Sequence, residues 1–193
     1  MVVVGITGGI GSGKSVICRI LQAMGYPVYD CDSCAKALMD YSLEIKNAIA
    51  REISPDAITP DGAINRPHLS EIVFSSPKHL ETLNSIVHSA VRADIAKWIS
   101  RQQAPIAFIE SAIIYTSGLH LLVNDIWLVS APLDVRVDRV IMRNGISRRQ
   151  VLDRVKSQEC EFSSLSGQTK EIVNDGATPL LCQIHILLAG YLS

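Results

Sequence analysis

No stretch of this 193-residue chain approaches the roughly 18 consecutive apolar residues that a membrane-spanning helix requires. The opening Val2-Val3-Val4 leads into a glycine-rich stretch and not into a cleavage site, so no secretory leader is expected either. An excess of one charge is missing as well. Eighteen Lys and Arg stand against 19 Asp and Glu, a formal net charge of −1, which argues against a generally basic nucleic-acid surface and requires any anionic partner to be held locally. The five cysteines, Cys18, Cys31, Cys34, Cys160 and Cys182, form an odd and scattered set, unlike a secreted disulfide framework. Reduced thiols and a cytoplasmic location are the expectation. Cys31-Asp32-Ser33-Cys34 fits C-x-x-C, but no second pair or nearby His completes a zinc site. Internal repeats and low-complexity tracts are also absent.

What is present begins at Gly5. Gly5-Ile6-Thr7-Gly8-Gly9-Ile10-Gly11-Ser12-Gly13-Lys14-Ser15 contains G-x-x-x-x-G-K-[ST], counted from Gly8. Glycines let successive backbone N–H groups converge on phosphate oxygens where a Cβ would obstruct them. Lys14 brings a point charge to the β- and γ-phosphates, and Ser15 offers a hydroxyl to Mg²⁺. The context agrees with the letters. Val2, Val3, Val4 and Ile6 make a short apolar strand before the loop, and Val16, Ile17, Ile20, Leu21 and Met24 fall at helical spacing after it. The new helix then directs its N-terminal partial charge at the same anion.

Along the chain, Pro27-Val28-Tyr29 predicts a second strand ending at Asp30 and Asp32. Ligands gather at the carboxyl ends of strands in open α/β sheets, so one of these acids should face the phosphates; the alternative is that they cap the next helix. From Ala35 to Gln103 the patterns are helical, interrupted around Ser54 to Gly62, which predicts a helical insertion carrying Arg66 and His88. Alone, His88 reads equally as a packed or surface histidine. Ile106 to Ile109 form a third strand closed by Glu110, the Walker B arrangement in which a carboxylate holds Mg²⁺. Ile126 to Val129 form a fourth. Arg136, Arg139 and Arg143 then share one helix face while Val137, Val140 and Ile141 share the other: a solvated stripe or a mobile lid that stabilises the transferring phosphoryl group. The polar segment from Glu161 to Gln168 reads as mobile. Ile172-Val173 and a last apolar helix complete a five-stranded parallel sheet flanked by helices, the α/β P-loop NTPase architecture. The expected division is a nucleotide-binding core of 1–34 with 104–135 and 169–193, an insertion of 35–103 and a lid of 136–168.

The ordered set of motifs resembles the dephospho-CoA kinase family over nearly the whole length. Its marks are Thr7 to Ser15, Asp30-Cys31-Asp32, Ile64-Asn65-Arg66 with Leu69 and Phe74, Leu83-Asn84 with Val87-His88, Arg139 and Arg143, Arg154 and Gln158, and Asn174 before Asp175-Gly176. The resemblance implies ATP-dependent phosphorylation of the ribose 3′-hydroxyl of dephospho-coenzyme A. It implies Asp32 as catalytic acid, Gly11, Ser12, Gly13, Lys14, Ser15 and Val16 as the nucleotide loop, Arg143 as the lid arginine and Asn174 near the adenine. Arg139 joins the nucleotide contacts, and Arg66 and His88 the substrate contacts of the coenzyme-binding insertion. Two departures are visible: Ser89 stands where many members carry Pro, and Thr116 stands at or near the place of a family acid. The competing readings are another small P-loop kinase, acting on a nucleoside monophosphate or small metabolite, and a nucleotide switch. Asn-Lys-x-Asp and Asp-x-x-Gly signals are both absent, which ranks the switch last.

Overall fold

The computed structural model describes residues 1–158 and 169–192; the polar segment Glu161 to Gln168 and Cys160 lie outside the described residues. Two compact units are present, one formed by 1–29 with 102–193 and the other by 30–101. Among the described residues no helix is long and apolar enough to cross a membrane.

The first unit is built on a parallel sheet. Its strands are β1 (Val2–Thr7), β2 (Val28–Asp30), β3 (Ile106–Glu110), β4 (Asp125–Ser130) and β5 (Thr169–Val173), in the spatial order β2-β3-β1-β4-β5. The apolar runs read from the sequence are the strands buried deepest: β1 lies between β3 and β4, with Val4 opposite Phe108 and Ile6 opposite Trp127. Helix α1 (Lys14–Ala23) and a C-terminal helix, numbered α8 below, pack on one face. Ile17 and Leu21 from the first and Ile184 and Leu188 from the last meet Val4, Ile6, Phe108 and Trp127 in one apolar cluster. Phe108 and Trp127, whose ring centroids are 5.2 Å apart, fill its centre. Further along the chain, α6 (Leu133–Asn144) and α7 (Arg148–Ser157) enclose a smaller core of Val137, Val140 and Val151, against which the Ile10 side chain packs. Ser147 starts α7 with a reciprocal cap, its side chain accepting from the Gln150 backbone while the Gln150 side chain accepts from the Ser147 N–H.

At the amino end of the sheet, α8 (Leu180–Leu192) is pinned by a polar cluster. The Tyr191 hydroxyl donates to Asp125 Oδ2 at 2.5 Å and accepts from Trp127 Nε1 at 3.1 Å, and Lys170 Nζ lies 2.6 Å from the same carboxylate. Burial, reinforced by Asp125, pushes the Tyr191 hydroxyl above the usual phenol pKa, so it remains a donor.

The second unit is helical: α2 (Cys31–Tyr41), α3 (Leu43–Glu52), α4 (Arg66–Ser75) and the 24-residue α5 (Pro77–Ser100). Its helix starts follow from local chemistry. Ser42, Asn65 and Ser76 each accept a backbone N–H with their side chains, and Pro67 and Pro77 occupy first-turn positions where a missing N–H costs nothing. Helix α5 runs unbroken through Ser89 and packs against α2, α3 and α4. Ile45, Ile49, Ala57, Leu69 and Val73 form this unit's core, and Ile49 is fully buried. Ile49→Ala therefore removes buried methylenes from a cluster with little freedom to collapse. It is expected to cost about 2–5 kcal/mol, read as a lower urea midpoint at unchanged slope.

Candidate active site

The carboxyl ends of β1, β3, β4 and β5 carry Thr7, Glu110, Ser130 and Val173, and the loop between β1 and α1 closes over them. Gly11 and Gly13 have φ of +79° and +95°, backbone conformations that side-chain-bearing residues rarely adopt. A loop that turns its N–H groups toward a bound anion turns its carbonyls outward, and each outward carbonyl then needs a donor. All are supplied. Lys14 Nζ donates to the Gly8 carbonyl at 2.8 Å, and the Ser12 N–H to Gly9 O at 3.1 Å. Arg136 Nε donates to Ile10 O at 2.9 Å, and Arg139 Nη1 reaches Gly11 O at 3.5 Å. Asn174 Nδ2 donates to Ser12 O at 2.8 Å, and the Val16 N–H to Gly13 O at 2.9 Å. Two hydroxyls are the exceptions: among the described residues the buried Oγ1 of Thr7 and Oγ of Ser12 find no partner, a cost that a loop built only for stability would avoid.

Lys14 spans the site. Besides Gly8 it approaches Glu110 Oε1 at 3.9 Å, with both side chains largely enclosed. Glu110 thus ends β3 beside Lys14, and Ser15 stands exposed in the first turn of α1. A carboxylate and a hydroxyl are hard oxygen donors that suit Mg²⁺, an ion that keeps several waters and takes further ligands from substrate phosphates. Among the described residues no three His, Cys, Asp or Glu side chains converge on a common point. Val16 begins the helical ladder from Gly13 and is half-buried.

The three arginines expected on one face of α6 separate in the structure. Arg136 and Arg139 lie against the loop, half-buried, whereas Arg143 is exposed and its Nε donates to the Asn144 side chain at 2.8 Å. The physical reason is position along the helix. Arg143 sits in the last turn, beyond the loop carbonyls that Arg136 and Arg139 satisfy. Asn174, expected near adenine, is buried and spends its amide on Ser12 O, while its own carbonyl accepts from Arg139 Nη1 at 3.0 Å. Sequence reasoning missed Gln158 and Arg136 as loop contacts. Both act on backbone atoms of Ile10, which leave no side-chain pattern to read.

In the helical unit, Asp30 caps α2: its carboxylate accepts from the Ser33 N–H at 3.1 Å and from the Ser33 hydroxyl at 2.7 Å. Asp32, in the first turn of that helix, is exposed and has no hydrogen-bond or ion-pair partner among the described residues. The two acids that the sequence left as alternatives are thus given different work. Arg66 pairs with Asp40 at 2.6 Å, about half exposed on each side, which makes it a weak and solvent-screened bridge. Thr116 is exposed. A cavity of about 310 Å³ opens between α2, α3 and α5, and none of Asp32, Arg66 and His88 lines it.

Comparison with known proteins bears on this geometry. The family model described as dephospho-CoA kinase matches residues 2–179. A dephospho-CoA kinase of Porphyromonas gingivalis is 42% identical over 163 residues, 84% of this chain and 80% of the relative. One of Thermus thermophilus is 36% identical over 176 residues, 91% and 84% of the two chains. Among solved structures, a Thermus thermophilus crystal structure is 34% identical with a TM-score of 0.78, over 99% of this chain and 96% of that one. The dephospho-CoA kinase of Campylobacter jejuni, at 21% identity and a TM-score of 0.64 over 99% and 96%, shares the fold.

His88 is half-buried on α5, and desolvation, with the nearby charge of Arg92, holds its pKa below the usual 6.5. Its folded-state value therefore lies below its unfolded one, so added protons favour the unfolded chain. Stability tied to the neutral imidazole is full above pH 6.5 and is lost as pH falls below that value toward the folded pKa. The His88 ring resonances should titrate with a midpoint below 6.5 by NMR, and His88→Gln should flatten the stability profile in that window. A midpoint above 6.5 would mean that His88 meets an anion and not a desolvating wall.

Proposed function

The chain belongs to the dephospho-CoA kinase family and catalyses ATP-dependent phosphorylation of dephospho-coenzyme A to coenzyme A, and from that premise we propose that Lys14, Asp32 and Arg143 carry the transfer to the ribose 3′-hydroxyl. The observation that supports this reading best is the loop from Gly8 to Ser15, whose carbonyls from Gly8 to Gly13 are each satisfied by the loop itself, by α6 or by Asn174, which fixes the backbone in a shape suited to a triphosphate. Gly11, Ser12, Gly13, Ser15 and Val16 form that cradle. The unpartnered Thr7 and Ser12 hydroxyls lie in the same stretch.

In the proposed step the substrate's 3′-oxygen attacks the γ-phosphorus. The new O–P bond forms as the bond to the β,γ-bridging oxygen breaks, and the hydroxyl proton passes to the Asp32 carboxylate. Asp32 is suited to that work because its oxygens are unspent, whereas those of Asp30 hold the start of α2. Lys14 stabilises charge that develops on the β- and γ-oxygens. Arg143, free of the loop contacts made by Arg136 and Arg139, is the lid arginine that engages the transferring group on closure. Arg139 and Asn174 hold the nucleotide loop, and Arg66 and His88 contribute to acceptor binding in the insertion 35–103. Ser15 and Glu110 would hold Mg²⁺, which when bound neutralises charge on the phosphate oxygens. We place the enzyme in the cytoplasm, in keeping with an odd and scattered set of five cysteines unlike a secreted disulfide framework.

Purified protein incubated with ATP, Mg²⁺ and a panel of dephospho-coenzyme A, AMP and shikimate should phosphorylate dephospho-coenzyme A; preferential transfer to another acceptor would favour a different small P-loop kinase. Lys14→Ala should lose at least about a hundredfold in kcat while remaining folded. Asp32→Asn should bind both ligands yet lose most single-turnover transfer. Asp30→Asn should keep most of it, because Asn caps a helix about as well as Asp. The reverse ranking would move the base to Asp30. Arg143→Ala should lower kcat more than ATP affinity, and an unchanged kcat with weakened ATP binding would remove it from the transition state.

A further inference from the structure

Among the described residues of the loop, Ile10 has both its N–H and its carbonyl held by side chains from α6 and the C-cap of α7. Its N–H donates to Gln158 Oε1 at 2.8 Å, and its carbonyl accepts from Arg136 Nε at 2.9 Å. Its own side chain packs against the Val137, Val140 and Val151 core that joins those helices. Gln158 caps the carboxyl end of α7, and Arg136 lies in the first turns of α6, so the two helices hold the successive peptide units on either side of the Ile10 Cα.

The fit is close on the glycine side too. A Cβ on Gly9 would lie 2.1 Å from Arg136 Nη2, and one on Gly11 would lie 2.4 Å from the Arg136 backbone carbonyl. The guanidinium therefore lies directly over the loop backbone, in space that only glycine leaves open. Half-burial lowers the Arg136 pKa from the ordinary arginine value, and a guanidinium keeps its charge in proteins, so a positive charge stands beside the loop.

We propose that Arg136 is a positioning residue for the nucleotide: together with Gln158 it clamps Ile10 through the two peptides that flank its Cα and fixes the loop in the shape that receives the triphosphate. This rests on the reading of the loop as the ATP site. It goes beyond that reading by coupling the loop's shape to the placement of α6 and α7, so that a movement of that helix pair changes ATP affinity. Arg136 acts through Ile10 and touches no reacting atom.

The test measures equilibrium ATP and dephospho-coenzyme A binding, kcat, both KM values and thermal unfolding for Arg136→Met, Gln158→Leu and the double variant, beside Lys14→Ala. Each single change should raise the Kd and KM for ATP about tenfold, as expected for losing a charge-assisted or buried hydrogen bond. Dephospho-coenzyme A binding should stay within about twofold, and kcat should fall by less than the ATP KM rises. The double variant should lose less than the product of the single effects, because both side chains hold one residue. Arg136→Lys should recover part of the ATP affinity by returning a cationic donor.

ATP binding within about twofold of the parent in both single variants, with Lys14→Ala inactive, would overturn the clamp and leave the loop assignment standing. Equal weakening of both substrates alongside a lowered unfolding temperature would make Arg136 merely structural and also overturn it. Parental turnover in Lys14→Ala would remove the loop assignment and the clamp together. Should Arg136→Met fail to fold, Gln158→Leu tests the same residue through its preceding peptide.

Discussion

Backbone carbonyls decide the layout of this molecule. A loop that presents N–H groups to phosphate exposes the opposite ends of the same peptides, and in a sheet-edge crevice those ends are shielded from water. Donors must come from somewhere. Here they come from three directions: Lys14 from the loop itself, Arg136 and Arg139 from α6, and Asn174 from the end of β5. The requirement accounts for residues far apart in the chain, since Asn174 and Ser12 are joined by one amide and Ile10 and Gln158 by another. An unmade bond at any of these positions would leave a buried acceptor whose desolvation costs about 1–3 kcal/mol.

The contrast with the Thr7 and Ser12 hydroxyls is informative. Acceptors on the outer side of the loop are satisfied, while two of the four buried side-chain atoms without a partner among the described residues are hydroxyls in the same stretch, the others being ring nitrogens of His79 and His120. Functional sites commonly hold polar groups whose partners arrive with the ligand, and the surrounding structure bears the cost until they do.

The sheet was legible because its strands are short apolar runs bounded by glycine, proline or acids, and the period of those runs carries their burial. Val2 to Ile6 and Ile106 to Ile109 are the clearest cases. Glu110 could be placed at a strand end for the same reason. The loop was legible from spacing alone, since the positions that need glycine or a cation leave no latitude. Helix-face reasoning did less well with Arg136, Arg139 and Arg143. Periodicity says which side of α6 a residue occupies but not where the loop ends along it, and that second coordinate sorts the three. Asp30 and Asp32 were separable only with coordinates, because a capping acid and a free one look alike in sequence. The Asp125, Lys170 and Tyr191 cluster gave no signal either: its members contact one another through tertiary packing across β4, β5 and α8.

The strand order β2-β3-β1-β4-β5 also bears on how the protein is made. The central strand β1 leaves the ribosome before the other four strands, yet its neighbours are β3 and β4, so Val2 waits for Ile106. The helical unit of 30–101 is synthesised during that interval and draws its own core from contacts close in sequence. Local contacts close quickly and long-range strand pairing slowly. A nascent chain therefore carries an unpaired, strongly apolar β1 while its helices consolidate. This is the interval in which an apolar edge strand invites intermolecular pairing. Slow translation through the helical segment would lengthen that exposure, and a chaperone that binds short extended apolar peptides would find its target in β1.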